Sequence, residues 1–322
     1  MSEAAISEKT RSNASPHDGP RWLHRAFDSD IFYSFRRSKL TMVAAAVTLL
    51  FFLVAIAAPL LAVQNPFDPA QLQLLNSRIA PLWTADGRSP FLLGTDEQGR
   101  DVFSAILYGL RISLIVGILG VLFSGTLGIL LGLIAGYFGG SIDSLIMRIA
   151  DVQLTFPAIL IALLVNGIAK SLFGNRLDAL SMLVVLVFAI GLSFWVQYAR
   201  TVRGSVMVEK NKDYVAAAQL IGLPAPVIML RHVLPNAMGP ILVIATINLA
   251  LAIITEATLS FLGTGMPDTM PSLGTLIRIG NNYLFAGEWW IVAFPGIALA
   301  ALVLSVNLLG DWLRDALNPK LR

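Results

Sequence analysis

Residues 213–236 read DYVAAAQLIGLPAPVIMLRHVLPN, a polar stretch punctuated by glycine and proline and set between two long apolar runs. The punctuation predicts two short helices joined by a tight corner. Asp213 opens the first helix, where a carboxylate suits the positive N-terminal end, and Tyr214 and residues 216–220 continue it. Gly222 permits a backbone conformation that a side chain disfavours, and Pro224 and Pro226 block continuation while letting a new helix start just after them. The second helix, about 227–233, is expected to stop at Pro235, just before the next apolar run.

The flanks decide the fold class. With 56% hydrophobic and 13% charged residues, and a mean hydropathy of +0.73, the chain carries more apolar surface than a soluble domain can bury. The expectation is an all-α membrane protein. A membrane helix needs about 20 apolar residues, and six runs qualify, at about 40–63, 112–138, 152–169, 179–199, 237–265 and 289–310. The third is interrupted by Pro157, so it is either kinked or re-entrant.

Residues 1–39 form a polar tail ending in Arg36, Arg37 and Lys39, a cluster expected to stay in the cytoplasm. The first run is too long, and too far from the N-terminus, for a cleaved signal peptide, so it reads as an anchor. With the tail inside, residues 139–151, 200–236 and 313–322 are cytoplasmic too. Of the 23 Lys and Arg residues, 16 then fall inside and 7 outside, which supports this orientation. Residues 64–111 make the largest outer segment; Val102, Ile106, Leu107 and Leu110 near its end suggest a short amphipathic helix at the interface. Ser124, Gly128, Gly132 and Gly136 recur every fourth position, a stripe that lets another helix approach closely, within this chain or from a second subunit.

Several chemistries are excluded. Cysteine is absent, which removes disulfides and thiolate sites, and the three histidines are His17, His24 and His232, so no metal site is expected. No Gly-Lys pair exists for a phosphate-cradling loop, and no serine-nucleophile or zincin motif occurs, so catalysis within the chain is not expected. Glu256 is the one ionisable residue well inside a run, where a charge costs about 2.5–3.5 kcal/mol. It is either a helix-end or water-facing residue, or part of a pathway or gate together with Ser260.

The opening stretch resembles the EAA loop of ABC-importer permeases, whose pattern is Glu-Ala-Ala, three residues, Gly, nine residues, then Ile-x-Leu-Pro. Here Ala216, Ala217 and Ala218 precede Gly222, and His232 to Pro235 close the pattern at the same spacing. Ala216 stands where the family has Glu, which leaves Asp213 or Glu209 to supply a carboxylate. The His-Val-Leu-Pro-Asn ending is similar to the peptide and nickel transporter variant. Residues 93–113, LGTDEQGRDVFSAILYGLRIS, resemble that branch's outer signature, and 147–157 and 256–263 resemble its other recurring segments. The tail and single anchor look like its C-type permease.

That resemblance implies the type I ABC importer permease fold, with 112–312 as the permease core. It implies half of a heterodimeric pore, paired with a homologous permease, two cytoplasmic ATPases and an extracytoplasmic solute-binding protein in a bacterial inner membrane, both termini cytoplasmic. ATP and Mg would be bound by the partners, with no cofactor in this chain and no role for nucleic acid. Asp213, Tyr214, Ala216, Ala217, Ala218, Gly222, Leu223, Pro224, Arg231, His232 and Pro235 would couple to the ATPase. Gly94, Thr95, Asp96, Gly99, Arg100 and Asp101 form the outer signature, and 95–111 and 263–289 would face the binding protein. Dipeptides, longer peptides, glutathione, nickel chelates and opines are not separated by these residues. Two other classes stay open: a stand-alone ion-coupled secondary carrier, favoured only by Glu256, and an assembly or signalling subunit.

Overall fold

The computed structural model describes residues 35–173 and 178–317; most of the polar tail, with His17 and His24, and residues 318–322 lie outside them. Among the described residues the regular structure is helical, apart from one isolated bridge between Thr95 and Asp101. The anchor helix α1 spans Lys39–Ile56, and a single turn at Ala58–Leu61 follows it.

Helix α2, Val102–Phe138, runs unbroken for 37 residues and absorbs the expected interfacial helix. Val102, Leu107 and Leu110 are not laid on a membrane surface; they are buried, Val102 against Trp290 and Ile291 and Leu110 against Ala55 and Ile253. The apolar pattern therefore marked a packed helix face, and exposed Arg111 alone does not stop a helix of such propensity. Asp101 starts it as an N-cap, its Oδ2 accepting from the Ser104 amide at 2.8 Å and the Ser104 hydroxyl at 2.6 Å.

The segment expected as a cytoplasmic loop and a third span is two helices, α3 (Gly140–Leu154) and α4 (Ala158–Phe173), bent by 93° at Pro157. Whether the pair counts as one crossing is settled by its neighbours. Helix α5, Ala179–Glu209, packs along α2 in the same direction: Gly120 meets Ile190, Gly128 meets Trp195 and Gly136 meets Val206. Two adjacent parallel helices require the chain between them to return to its starting side. The bent pair does so, with Asp143 paired to Arg203 near one end and Lys170 Nζ donating to the Gly263 carbonyl at the other, 3.3 Å away.

The small-residue stripe is internal packing. A Cβ added at Gly128 would lie 2.4 Å from the Trp195 carbonyl oxygen, and at Gly132 2.5 Å from that of Ala199. No side chain fits at those separations, so the two backbones are in close contact.

After the short helix α6, Asp213–Leu220, the chain re-enters helix at Ala225–Val227, passes through a π-turn at Ile228–Val233 and continues as α7, Leu234–Phe261. Pro235 does not end the second helix as its sequence position suggested. It falls in the first turn of α7, where its missing N–H is not needed, and the Leu234 amide closes an i→i−5 bond on the Met229 carbonyl. Helix α8, Leu273–Asn281, and the last helix α9, Trp290–Leu317, complete the bundle.

Contacts sort the bundle into two ends. Phe35 stacks edge-on against Trp312 at 5.2 Å, and Asn236 and Gly239 line one cleft with Arg314 and Leu317, so the start of α1, the end of α9 and the 213–236 corner share one end, where Lys210 Nζ also donates to the Gly136 carbonyl at 2.7 Å. At the other, the Val63 amide donates to Ser104 at 2.9 Å and Trp290 Nε1 to the Thr95 carbonyl at 3.2 Å.

Candidate functional site

The corner is built as the sequence suggested, and its geometry is sharper than the spacing alone implied. Gly222 has φ +78°, the left-handed region. The Leu223 amide bonds to the Ala218 carbonyl at 3.1 Å and the Gly222 amide to that of Gln219 at 3.0 Å, the paired bonds of a Schellman terminus. Leu223, the residue after the glycine, packs back on the cluster that includes Ala218, as that motif requires.

One face of the corner is core. Val215, Ala218, Ile228 and Val233 are buried against Leu133, Val202 and Val206 of α2 and α5. Burying a Val or Ile side chain is worth about 1.5–3 kcal/mol, so this face fixes the corner to the bundle. Ala218 belongs to that face and is not available to a partner, unlike exposed Asp213, Tyr214, Ala216, Ala217, Gly222, Pro224, Arg231 and Pro235. Leu223 and His232 are half-buried.

The opposite face carries a feature that the motif comparison missed. Leu220 is 88% exposed and Ile221 75%, two large apolar side chains at the apex of a rigid turn. The signal was present in the sequence. Val215 and Ala218 set the inward positions three residues apart, and Leu220 falls outside that series yet is apolar; Ile221 is in register with it but lies past the end of α6, where the helical series no longer points it inward.

A polar network fastens the base of the corner. The Glu209 carboxylate accepts from Lys212 Nζ at 2.6 Å and from the Tyr214 hydroxyl, which in turn accepts from Asn236 Nδ2 at 3.0 Å. The ends of α5, α6 and α7 are thus joined through one carboxylate. Of the two carboxylates near Ala216, Glu209 is tied into this network, whereas Asp213 opens α6 with no side-chain capping bond before it.

The outer signature is a buried knot. Thr95, Asp96, Arg100 and Asp101 are all at most 2% exposed. Thr95 Oγ1 accepts from the Ile79 amide at 2.8 Å and donates to the Asn76 carbonyl at 2.5 Å. Asp96 Oδ2 takes Arg100 Nε at 2.6 Å, while its Oδ1 accepts the Gln98 and Arg100 amides at 2.9 Å. Gly94 and Gly99 have positive φ, and a Cβ on Gly99 would lie 2.2 Å from the Gln73 carbonyl oxygen. These residues scaffold the outer segment. Of the 95–111 stretch expected to face the binding protein, these side chains are turned inward, whereas Glu97 and Gln98 are half-buried and Arg111 is exposed. Burial pushes the Glu97 carboxyl above its usual range, with Asp96 adding to the effect, and burial likewise raises Asp101.

Glu256 lies wholly inside the bundle and neither faces water nor sits at a helix terminus. Its Oε2 accepts from Ser113 at 2.8 Å and its Oε1 from Ser260 at 2.7 Å. The two residues named for a pathway are therefore bonded to each other, and both are sealed in this arrangement. Among the described residues no group of three His, Cys, Asp or Glu could hold a metal.

Comparison with known proteins agrees with the sequence resemblance. Residues 128–322 match the family described as binding-protein-dependent transport system inner membrane component, and 29–81 match the N-terminal TM domain of oligopeptide transport permease C. The chain is 36% identical over 293 residues, 91% of this chain and 95% of its relative, to a dipeptide transport system permease protein of Haemophilus influenzae. It is also 36% identical over 294 residues, 91% of this chain and 90% of the other, to an oligopeptide transport system permease protein of Bacillus subtilis. A chain of a solved MetNI methionine ABC transporter aligns with 66% of this chain and 94% of its own length at 18% identity, TM-score 0.48.

Proposed function

Because this chain belongs to the binding-protein-dependent transport system inner membrane component family, as a multi-pass ABC-importer permease of the C type, we propose that it forms half of a heterodimeric pore importing small peptides or related solutes. The other half is a homologous permease. Two cytoplasmic ATPases bind ATP and Mg and hydrolyse the nucleotide, and an extracytoplasmic binding protein delivers the solute. Both termini lie in the cytoplasm.

One observation carries the coupling role. Leu220 and Ile221 stand exposed on a glycine-locked corner whose other face is anchored in the bundle. Exposed apolar groups at the apex of a rigid element fit insertion into a partner's cleft, where burial gives affinity and rigidity transmits movement. Closure of the ATPase clefts on ATP binding moves the corner, and α5 and α7, which both run from it into the bundle, carry that movement into the membrane.

The test is co-purification of the chain with the products of its genomic neighbours in mild detergent, followed by ATPase assay with and without loaded binding protein. A complex of two permeases and two ATPases, stimulated by loaded binding protein, is expected. A stable lone subunit whose transport follows an ion gradient and not ATP would overturn the reading.

A further inference from the structure

Each oxygen of the Glu256 carboxylate ends a two-step hydrogen-bond chain that begins on a backbone amide of the outer segment between α7 and α8. The Leu273 amide donates to Ser113 Oγ at 3.3 Å, and Ser113 donates to Glu256 Oε2 at 2.8 Å. The Met266 amide donates to Ser260 Oγ at 3.1 Å, and Ser260 donates to Glu256 Oε1 at 2.7 Å. A serine hydroxyl has one proton to give and lone pairs to accept with, so each serine works here as a directional relay. Between the two anchored amides, buried Arg100 donates from Nη1 to the Asp268 carbonyl at 2.8 Å. The fit is close: a Cβ on Gly265 would lie 2.1 Å from Ser260 Oγ, and one on Gly274 2.3 Å from the Ala257 carbonyl oxygen.

We propose that Glu256 and Arg100 are positioning residues that clamp the outer segment 262–273 by its main chain, through Ser260, Ser113 and the Asp268 carbonyl. The three held groups are an amide, a carbonyl and an amide, and they add to side-chain anchors of the same segment: Met266 buried in the core, and the Asp268 carboxylate paired with Arg278. Asp268 and Thr269 are left exposed on a fixed loop. A loop held this way presents the unpaired side chain of these two, that of Thr269, in a fixed geometry, and that residue can change without releasing any of these contacts. In the importer this loop is the surface that receives the loaded binding protein. That last step rests on the proposed function; the clamp itself does not.

The absence of native cysteine allows a direct test. A nitroxide attached at Thr269→Cys reports the loop, and one at Ser144→Cys, exposed on α3, serves as a control, both read in the assembled complex in nanodiscs. In Glu256→Ala the label at 269 is expected to become several-fold more mobile while the label at 144 is unchanged. Glu256→Gln, which keeps one acceptor oxygen, should fall between Glu256→Ala and the parent, as should Ser113→Ala and Ser260→Ala, each of which removes one relay. The concentration of loaded binding protein giving half-maximal uptake should rise about tenfold in Glu256→Ala, which removes the acceptor of both serines, with a smaller change in maximal rate. An unaltered label at 269, or equal loosening at both positions, would overturn the clamp. If Glu256→Ala does not assemble, unaltered labels in both serine variants would overturn it equally. A mobile loop with unchanged uptake kinetics would leave the clamp standing and remove its assigned use.

Discussion

Gly222 and its neighbour Ile221 separate two properties that a single substitution would confuse. At Gly222 the space around a new Cβ is open, so the obstacle to a side chain is the positive φ and not a clash. Gly222→Ala is expected to cost about 1–2 kcal/mol of local strain, seen as faster amide exchange over residues 213–224 with membrane insertion intact. Ile221→Ser, by contrast, removes an exposed apolar group and should leave thermal stability within about 0.5 kcal/mol of the parent. Coupled ATPase activity should nevertheless fall sharply if the apex is what a partner grips; full activity in a Leu220→Ser, Ile221→Ser double variant would refute that role. Gly222→Trp adds bulk at the same apex and is expected to abolish uptake. The left-handed glycine could be inferred from its neighbours because two prolines and a broken apolar series leave few other conformations. Glu209 was harder to assign, since a carboxylate four residues before a corner can pair in several directions and only the fold brings Tyr214 and Asn236 beside it.

Among the elements, the α2–α5 pair makes the clearest demand. Gly128→Leu or Gly132→Leu would drive a side chain into the facing backbone, where the available gap is under 3 Å. Overpacking of this kind typically costs 1–3 kcal/mol, and with backbone on the opposing side about 3 kcal/mol or more is expected. The thermal midpoint in detergent should drop, while the same change at half-buried Gly239, which has open space around it, should be nearly neutral. The π-turn at Ile228–Val233 gives a second test. Deleting Leu230 would convert it to α-helix and rotate everything before it by about 100° relative to α7, so coupling should be lost with α7 still inserted. Long apolar helices were legible because length and composition suffice to mark them. The break at Pro157 was legible as a kink or re-entrant turn, but its 93° angle and the pairing with residues 140–154 were not, nor was the π-turn, because these depend on how proline is accommodated by neighbouring helices; Pro157 and Pro235 look alike in one dimension, yet the chain breaks at one and stays helical through the other.

For the molecule as a whole, the described termini and the corner share one end, and the signature knot, the 262–273 loop and Trp290 share the other. An impermeant thiol reagent applied to intact cells should label Thr269→Cys and not Ser144→Cys; the reverse pattern would invert the topology. The outer end also has a pH signature. Glu97 and Asp101 have carboxyls raised by burial, so the folded state holds their protons more tightly than the unfolded chain does. Stability from these groups is fully present below the ordinary carboxylate range and is lost as pH rises through the folded pKa. The thermal midpoint should therefore gain as pH is lowered from neutral toward the ordinary carboxylate range, and Glu97→Gln should flatten the slope. The sequence resemblance located the outer signature but misjudged its use, because a run of charged residues reads as solvent-facing until the fold folds it inward on Arg100.

The helix that begins beyond Pro224 and ends at Phe261 is long and apolar enough to be one continuous 37-residue member, and that has a mechanical consequence. Its close mid-helix supports are Gly117 against Ile253 and Gly310 against Thr246, with Gly274 against Ala257 nearer the outer end, and a fulcrum at the first two lies about two-thirds of the way from the corner. At 1.5 Å per residue the arm toward the corner is about 35–40 Å and the arm beyond about 15 Å. A swing about that point would arrive at the outer end reversed in direction, with roughly 0.4 of the travel and correspondingly more force, which makes the member a force multiplier that pries the far end and does not sweep it.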